Sequence, residues 1–223
     1  MKRGFTLIEL VFVIVIIGVL SAILAPRFDR PSITEATHQL VSHIRYTQHL
    51  AMMDNKFDPI VGGWQRQRWN ISFKLLTRTT VFPIYTIASN RDGTNNLIST
   101  DVAVDPANQS VLLSGDIGEI GITIPGVNIV NYSSKLNLQT EYGIESLVLA
   151  GSCAGRDAIS FDYLGRPILG NSINMMFKYL NTTNTSELMT ARCIIILRTN
   201  DSDNNIRQIA IEPETGYTHI LPD

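Results

Sequence analysis

Hydrophobic positions follow three different patterns along the 223-residue chain. The first is a continuous apolar run, FTLIELVFVIVIIGVLSAILA, which occupies residues 5–25 and contains one ionisable residue, Glu9. At about 1.5 Å per residue, a helix of this length spans about 30 Å, the thickness of the hydrocarbon core of a bilayer. Lys2 and Arg3 precede the run, so the positive-inside rule keeps them cytoplasmic and sends the remaining chain across the membrane. We predict a transmembrane helix over residues 5–29, too long for a cleaved secretory signal peptide.

The second pattern has the period of an amphipathic helix. Beyond residue 30, apolar side chains recur at intervals of one or two helical turns: Ile33, Ala36, Leu40, Ile44 and Ala51. This period predicts a helix over residues 30–55 with one buried stripe. Three histidines, His38, His43 and His49, lie on the same helix at separations that differ from the i, i+4 spacing of a helical metal site. We therefore expect them to be surface residues or contacts to another chain.

The third pattern begins near residue 64, where short alternating or β-branched runs replace the helical period. These runs predict strands over residues 69–75, 80–88, 117–124, 128–132, 147–150, 158–164, 193–199 and 206–211. Turn-forming residues separate the runs, and no internal repeat or long linker divides them. The predicted fold class is therefore α+β, with a long N-terminal helix packed on an antiparallel β-sheet head that covers residues 56–223.

Composition and motifs exclude several classes of function. The 18 Lys and Arg residues are offset by 20 Asp and Glu residues, so the net charge of −2 gives no general affinity for nucleic acid. Sequence motifs of phosphate-binding loops, zinc peptidases, paired-cysteine metal sites and dinucleotide-binding folds do not occur in the chain. We therefore predict that the protein is not an enzyme, and that any ATP used in its assembly is hydrolysed by another protein.

Glu9 is the unusual residue of the apolar run. A carboxylate within a membrane helix costs roughly 2.5–3.5 kcal/mol on insertion scales, so it requires a partner. The partner could be a group on another chain or a newly made α-amino group. A protonated Glu9 near the membrane interface is the alternative interpretation, and the sequence leaves both open.

The residues KRGFTLIEL, followed by the apolar run, resemble the prepilin signature of type IV pilins and type II secretion pseudopilins. The resemblance implies that residues 1–4 are a leader and that a membrane peptidase cuts after Gly4 and N-methylates Phe5. It also implies that Glu9 pairs with the N-terminal ammonium of a neighbouring subunit during assembly. Pro26 stands where this family often carries a helix-loosening proline.

The C-terminal third resembles a second group of proteins. The pattern Phe161-x-x-x-Gly165-Arg166-Pro167, followed by a strand pair and a glycine–aromatic ending, is similar to the heads of H-type minor pseudopilins and FimT-like minor pilins. The resemblance implies a single-pass protein of the bacterial inner membrane with a periplasmic head. Its implied partners are other pilins or pseudopilins, prepilin peptidase and an inner-membrane assembly platform with a separate ATPase. It does not separate type II secretion from type IV pili.

Cys153 and Cys193 are the only cysteines. Because the predicted topology places both in an oxidising compartment, we expect a disulfide that stabilises the fold by about 4 kcal/mol. Two free buried thiols are the alternative. Cys153 also lies in a G-x-C-x-G sequence like a nucleophile elbow, but an alternating strand pattern follows it where that motif needs a helix.

Two loops contain acidic and amide residues that could bind Ca²⁺, with Asp92 in one and Asp201 and Asp203 in the other. The same residue types are the usual formers of turns. We therefore expect turns there, and neither a metal site nor a cofactor.

An alternative function is that of a pilus-tip module that captures DNA or an adhesion target. Trp64, Arg66, Arg68 and Trp69 mix basic and aromatic side chains, as surfaces that bind single-stranded DNA do. FimT-like pilins include DNA receptors that act mostly through basic C-terminal tails. The tail of this chain is acidic, so nucleic-acid binding is the weaker hypothesis.

Overall fold

The chain divides into two units, Met1–Arg30 and Pro31–Asp223. The structure, a computed structural model, describes residues 6–24, 33–58, 60, 64–75, 81–91, 99–115, 132–170, 188–200 and 205–222.

The first unit contains helix α1, Leu7–Leu24. All side chains of residues 6–21 are exposed, and the apolar ones point to every side of the helix. Since the helix has no polar face, its own unit supplies no core for it to pack against. In the described part of the chain, no helix meets the length and apolarity required to cross a membrane.

The second unit begins with helix α2, Ile33–Met53. The predicted stripe is the buried one, because all five residues that defined it lie in the core together with three others: Thr37, Val41 and Thr47. The hydroxyl groups of Thr37 and Thr47 donate to the carbonyl oxygens of Ile33 and His43, one turn earlier, so these polar residues are buried without an unsatisfied donor.

Ten strands are present within the described residues. They are β1 Asn70–Leu75, β2 Val81–Ala88, β3 Val104–Asp105, β4 Asn108–Leu112, β5 Ile144–Gly151, β6 Ala158–Phe161, β7 Pro167–Gly170, β8 Cys193–Thr199, β9 Ile206–Ile211 and β10 Thr218–Ile220. Eight form one sheet in the order β10-β9-β8-β5-β2-β1-β6-β7, and β3 pairs with β4. The pairs are antiparallel, which confirms the predicted α+β class. Short helices cover Trp64–Gln67, Ser99–Asp101, Ser134–Leu136 and Leu138–Tyr142, the last being α3.

The predicted strands agree best where β-branched runs are long. Strands β8 and β9 have the predicted bounds, and β1 and β2 differ from them by one residue. The prediction over 158–164 was too long, because Asp162 Oδ1 accepts from the backbone N–H groups of Leu164 and Arg166 and forms a turn after β6. Residues 117–124 and 128–131 lie outside the described residues. The sequence patterns missed β3, β4, β7 and β10.

Helix α2 packs against strands near both edges of the eight-stranded sheet, and a turn from each edge reaches it. The β6–β7 turn lies at one edge and the β9–β10 turn at the other. Gln48 Nε2, on α2, donates to the carbonyl oxygens of Gly165 and Thr215, which belong to these two turns, at 2.8 Å each. A Cβ atom on Gly216 would lie 2.7 Å from the Gly165 oxygen, and Gly216 has a φ of +65°. Glycine is therefore required where the two edges approach each other.

Candidate processing and assembly site

Of the residues predicted for processing and assembly, the structure describes Glu9. Gly4, Phe5 and Pro26 lie outside the described residues. Cleavage after Gly4, methylation of Phe5 and the helix break at Pro26 stay predictions.

Glu9 closes a capping box at the start of α1. Its Oε2 atom accepts from the backbone N–H of Thr6 at 3.0 Å and from the Thr6 hydroxyl at 2.8 Å. The Glu9 N–H in turn donates to Thr6 Oγ1 at 3.4 Å. Two N–H groups that the first helical turn leaves without partners are thus satisfied by reciprocal side-chain bonds.

This arrangement satisfies the hydrogen-bonding capacity of one Glu9 oxygen but does not neutralise its charge. The helix N-terminus favours a nearby carboxylate through its dipole. However, residues 7–24 contain no lysine, arginine or histidine that could form an ion pair. A positive partner for Glu9 must therefore come from outside the described helix.

Thr6 is the functional residue that the sequence analysis overlooked. The spacing Thr-x-x-Glu before an apolar run is itself the sequence signature of a capping box, and it could have identified Thr6 as the residue that orients Glu9.

The predicted disulfide is present between Cys153 and Cys193, whose Cα atoms are 5.1 Å apart. It connects the turn after β5 to the first residue of β8, and both half-cystines are buried. A disulfide sulfur carries no thiolate, so Cys153 cannot act as the nucleophile that its G-x-C-x-G sequence suggested.

Three of the proposed DNA-contact residues, Trp64, Arg68 and Trp69, make contacts within the head. Trp69 is 6% exposed, and its Nε1–H donates to Asp54 at 3.0 Å, so its ring is not presented for base stacking. The Arg68 guanidinium lies 4.6 Å from the centroid of the Trp64 ring, which it covers as a cation–π partner. The side chain of Arg66 lies outside the described residues. The ring of Trp69 is therefore not open for stacking, and a DNA contact through the other three residues stays a prediction.

The weak calcium candidates Asp92, Asp201 and Asp203 lie outside the described residues. In the part of the chain that the structure describes, no group of three or more His, Cys, Asp or Glu side chains is arranged to bind a metal ion.

His43, predicted to be a surface or filament-contact residue, is only partly exposed. Its Nδ1 atom lies 2.7 Å from the hydroxyl of buried Tyr85, which also accepts from Gln39 Nε2 at 3.1 Å. The Tyr85 proton therefore points to His43, which accepts it as a neutral imidazole. Burial lowers the pKa of His43 to about 4, and the carboxylate of Asp105 opposes this shift only in part. Burial also raises the pKa of Tyr85.

Comparison with known proteins gives one match, and it covers the N-terminal segment. Residues 1–25 match the family model described as the prokaryotic N-terminal methylation motif, which is typical of type IV pilins and pseudopilins. The motif implies processing by prepilin peptidase and assembly with other pilin subunits. It supports a type IV pilin-like precursor, a class that is structural rather than enzymatic. The chain matches no curated protein and no solved structure.

Proposed function

We propose that the protein is a minor pseudopilin or minor pilin. It is inserted in the bacterial inner membrane through residues 5–29, cut after Gly4, methylated at Phe5, and assembled into a type II secretion pseudopilus or a type IV pilus. Its head, residues 56–223, lies in the periplasm. A separate ATPase, acting through an inner-membrane platform, drives the assembly.

The observation that carries the proposal is Glu9 in its capping box, within a segment that matches the methylation motif. Thr6 holds the carboxylate at the first turn of the helix, and residues 7–24 supply no cation to pair with its charge. Cleavage after Gly4 creates an ammonium at Phe5. In a filament, the ammonium of a neighbouring subunit would supply the cation that residues 7–24 lack. The Coulomb attraction between the two charges is stronger in apolar surroundings than in water.

The exposed apolar helix and the disulfide also support the proposal. Helix α1 has apolar side chains on all sides, which require a bilayer or the helices of other subunits around them. The disulfide between Cys153 and Cys193 fits an oxidising compartment such as the periplasm.

Processing is tested by mass spectrometry of the mature chain isolated from membranes. We expect an N-terminal peptide that begins with N-methylated Phe5. An unprocessed Met1, or a mature start within residues 21–26, would contradict the proposal.

Assembly is tested with Glu9→Ala, and Glu35→Ala, an exposed glutamate on α2, is the matched control. We expect Glu9→Ala to insert in the membrane normally but to appear in filaments at a level reduced about tenfold or more, since an uncompensated partner charge in apolar surroundings costs well over ~1.4 kcal/mol. Glu35→Ala should assemble at the normal level. Normal incorporation of Glu9→Ala would show that the proposed ion pair does not form.

A further inference from the structure

A chain of hydrogen-bonded side chains joins helix α2 to the sheet and to α3. Its members are Tyr142 on α3, Gln39 and His43 on α2, and Tyr85 on β2. The Tyr142 hydroxyl bonds to Gln39 Oε1. Gln39 Nε2 lies 3.1 Å from Tyr85 Oη, which lies 2.7 Å from His43 Nδ1. Gln39 Nε2 also lies 2.7 Å from the carbonyl oxygen of Lys135, in the short helix before α3, so one glutamine connects α2 to three places in the head.

The carbonyl oxygen of Lys135 fixes the position of every proton in this chain. A carbonyl oxygen can only accept, so it faces the amino group of Gln39, whose own oxygen must then accept from Tyr142. The second amide hydrogen of Gln39 points to Tyr85 Oη, which leaves the Tyr85 proton for His43 Nδ1. His43 is therefore neutral and carries its proton on Nε2.

A proton added to His43 Nδ1 is incompatible with this order. The Nδ1–H group and the Tyr85 O–H group would then face each other across 2.7 Å. Tyr85 is only 1% exposed, so its hydroxyl proton would need another acceptor within the head. A turn of the Gln39 amide would bring Oε1 to Tyr85, but it would break the bonds of Gln39 to Lys135 and Tyr142. Protonation of His43 therefore works against the bonds that hold residues 134–142 on α2.

The surroundings of His43 set the pH range in which this conflict matters. Burial lowers the pKa of His43 to about 4, while the carboxylate of Asp105 on β3 favours the charged form and opposes the shift in part. An opening that exposes His43 returns its pKa toward 6.5, so the opened site takes up a proton that the closed site excludes. Opening is therefore favoured as the pH falls from about 6.5 to about 4.

The other titratable groups around the chain differ in their response to acid. Burial raises the pKa values of Tyr85, Tyr46 and Tyr142, so these phenols stay protonated as the pH falls. The carboxylates of Glu35 and Glu141 lie close enough to Tyr142 to add to the rise in its pKa. A test of His43 must therefore separate its protonation from that of these carboxylates.

We propose that this chain is an acid-released attachment, in which protonation of His43 frees residues 134–142 from helix α2. The segment covers part of the core, because Leu136 and Leu138 are completely buried. Its release would therefore uncover apolar surface beside α2. The inference concerns the head alone and does not rest on the proposed function.

Hydrogen exchange of the full chain in detergent micelles, followed by mass spectrometry, tests the proposal. Exchange in peptides that cover residues 134–142 is measured at pH 7 and pH 5 and corrected for the intrinsic rate at each pH. We expect the protection of these amides in the wild type to be lower at pH 5 by at least about tenfold, because the opened site binds a proton there. Equal protection at the two pH values would overturn the proposal.

His43→Gln separates His43 from the carboxylates, since the carbonyl oxygen of glutamine can accept from Tyr85 at either pH. Protection of residues 134–142 should then be the same at pH 7 and pH 5. His38→Gln, at an exposed position of the same helix, should behave as the wild type. A fall in protection in His43→Gln equal to that in the wild type would overturn the proposal.

Two further variants interrupt the chain between His43 and the segment. Gln39→Leu removes all of its bonds to residues 134–142, and Tyr142→Phe is the milder change, which removes one hydroxyl group and keeps the buried ring. In both, residues 134–142 should be less protected at pH 7 and should lose several-fold less protection between pH 7 and pH 5 than in the wild type. An undiminished loss in both variants would show that acid reaches the segment by another route, and the proposal would be wrong.

Discussion

Helices α1 and α2 belong to the same chain but depend on different surroundings. Every described side chain of α1 is exposed, and the exposures of its large hydrophobic residues range from 81% at Leu7 to 44% at Val13. In α2, eight residues along one stripe are buried. An amphipathic helix can bury its single apolar face against one unit. A helix that is apolar on all sides needs apolar surroundings on all sides. The described residues 6–24 therefore supply no core for α1, whereas α2 is buried in the head.

Their polar side chains differ in the same way. Among the described residues, Glu9 of α1 bonds to Thr6, three residues away. In α2, polar side chains reach several other elements: Gln39 and His43 contact Tyr85, Arg45 contacts Thr218, Tyr46 contacts Val104, and Gln48 contacts Gly165 and Thr215. Specific polar contacts thus fix the position of α2 in the head. The contact between Glu9 and Thr6, in contrast, lies within the first turn of α1 and does not position that helix against another element.

Removal of the disulfide should have the largest effect on the head. We expect Cys153→Ser with Cys193→Ser to lower its free energy of unfolding by about 4 kcal/mol, because the unfolded chain regains the freedom of the closed loop. Urea denaturation in detergent micelles measures this through tryptophan fluorescence, which reports on the head because Trp64 and Trp69 are the only tryptophans.

Wild-type protein treated with a reductant is the control, and it should resemble the double variant. The proposed function predicts that both still fractionate with membranes through residues 5–29. Equal stability of the oxidised and reduced wild type would contradict the prediction.

Acid should destabilise the head through His43. In the folded head, the pKa of His43 is lowered from about 6.5 to about 4. Between pH 6.5 and pH 4, His43 is therefore protonated in the unfolded chain but neutral in the folded head. Stability therefore falls as the pH falls through this window, by about 3 kcal/mol at most. Thermal unfolding from pH 7 to 4 measures the slope.

His43→Gln should flatten this slope, while His38→Gln, at an exposed position of the same helix, should not. An unchanged slope in His43→Gln would show that other groups cause the acid sensitivity.

A pair of glycine variants gives the smallest expected effect. Gly216 and Gly143 both have positive φ angles, +65° and +67°, so alanine at either costs about 1–2 kcal/mol of backbone strain. A Cβ atom meets nothing within 4 Å at Gly143 but would lie 2.7 Å from the Gly165 oxygen at Gly216. Gly216→Ala should therefore lower the unfolding free energy by about 1 kcal/mol more than Gly143→Ala. Equal losses would mean that the two sheet edges separate easily.

The sequence predicted those features that depend on local pattern. The stripe of α2 and strands β8 and β9 follow from periodic or β-branched runs. Strand β10 has three residues and is held by β9 and by Arg45, which bonds to Thr218 from 173 positions away. Its existence depends on tertiary contacts that no short window contains. Strand β7 was missed because it begins with Pro167 and ends with Gly170, residues that usually interrupt strands.

The candidate site was partly predictable for the same reason. The motif identified Glu9, and the Thr-x-x-Glu spacing was sufficient to predict its contact with Thr6. The contact of His43 was missed because helical spacing shows which face a residue occupies, but not that Tyr85 lies opposite it. The pairing of Cys153 with Cys193 followed from their number and compartment, whereas their positions at β5 and β8 required the fold.

The bonds from Arg45 and Gln48 to the last turn and strand bear on the order of events during synthesis. The ribosome makes α2 well before Thr215 and Thr218, which follow their partners on the helix by 167 and 173 positions. The helix cannot obtain these contacts until both residues have been synthesised. Folding of the head should therefore be slow, as is usual when contacts join residues that are distant in sequence.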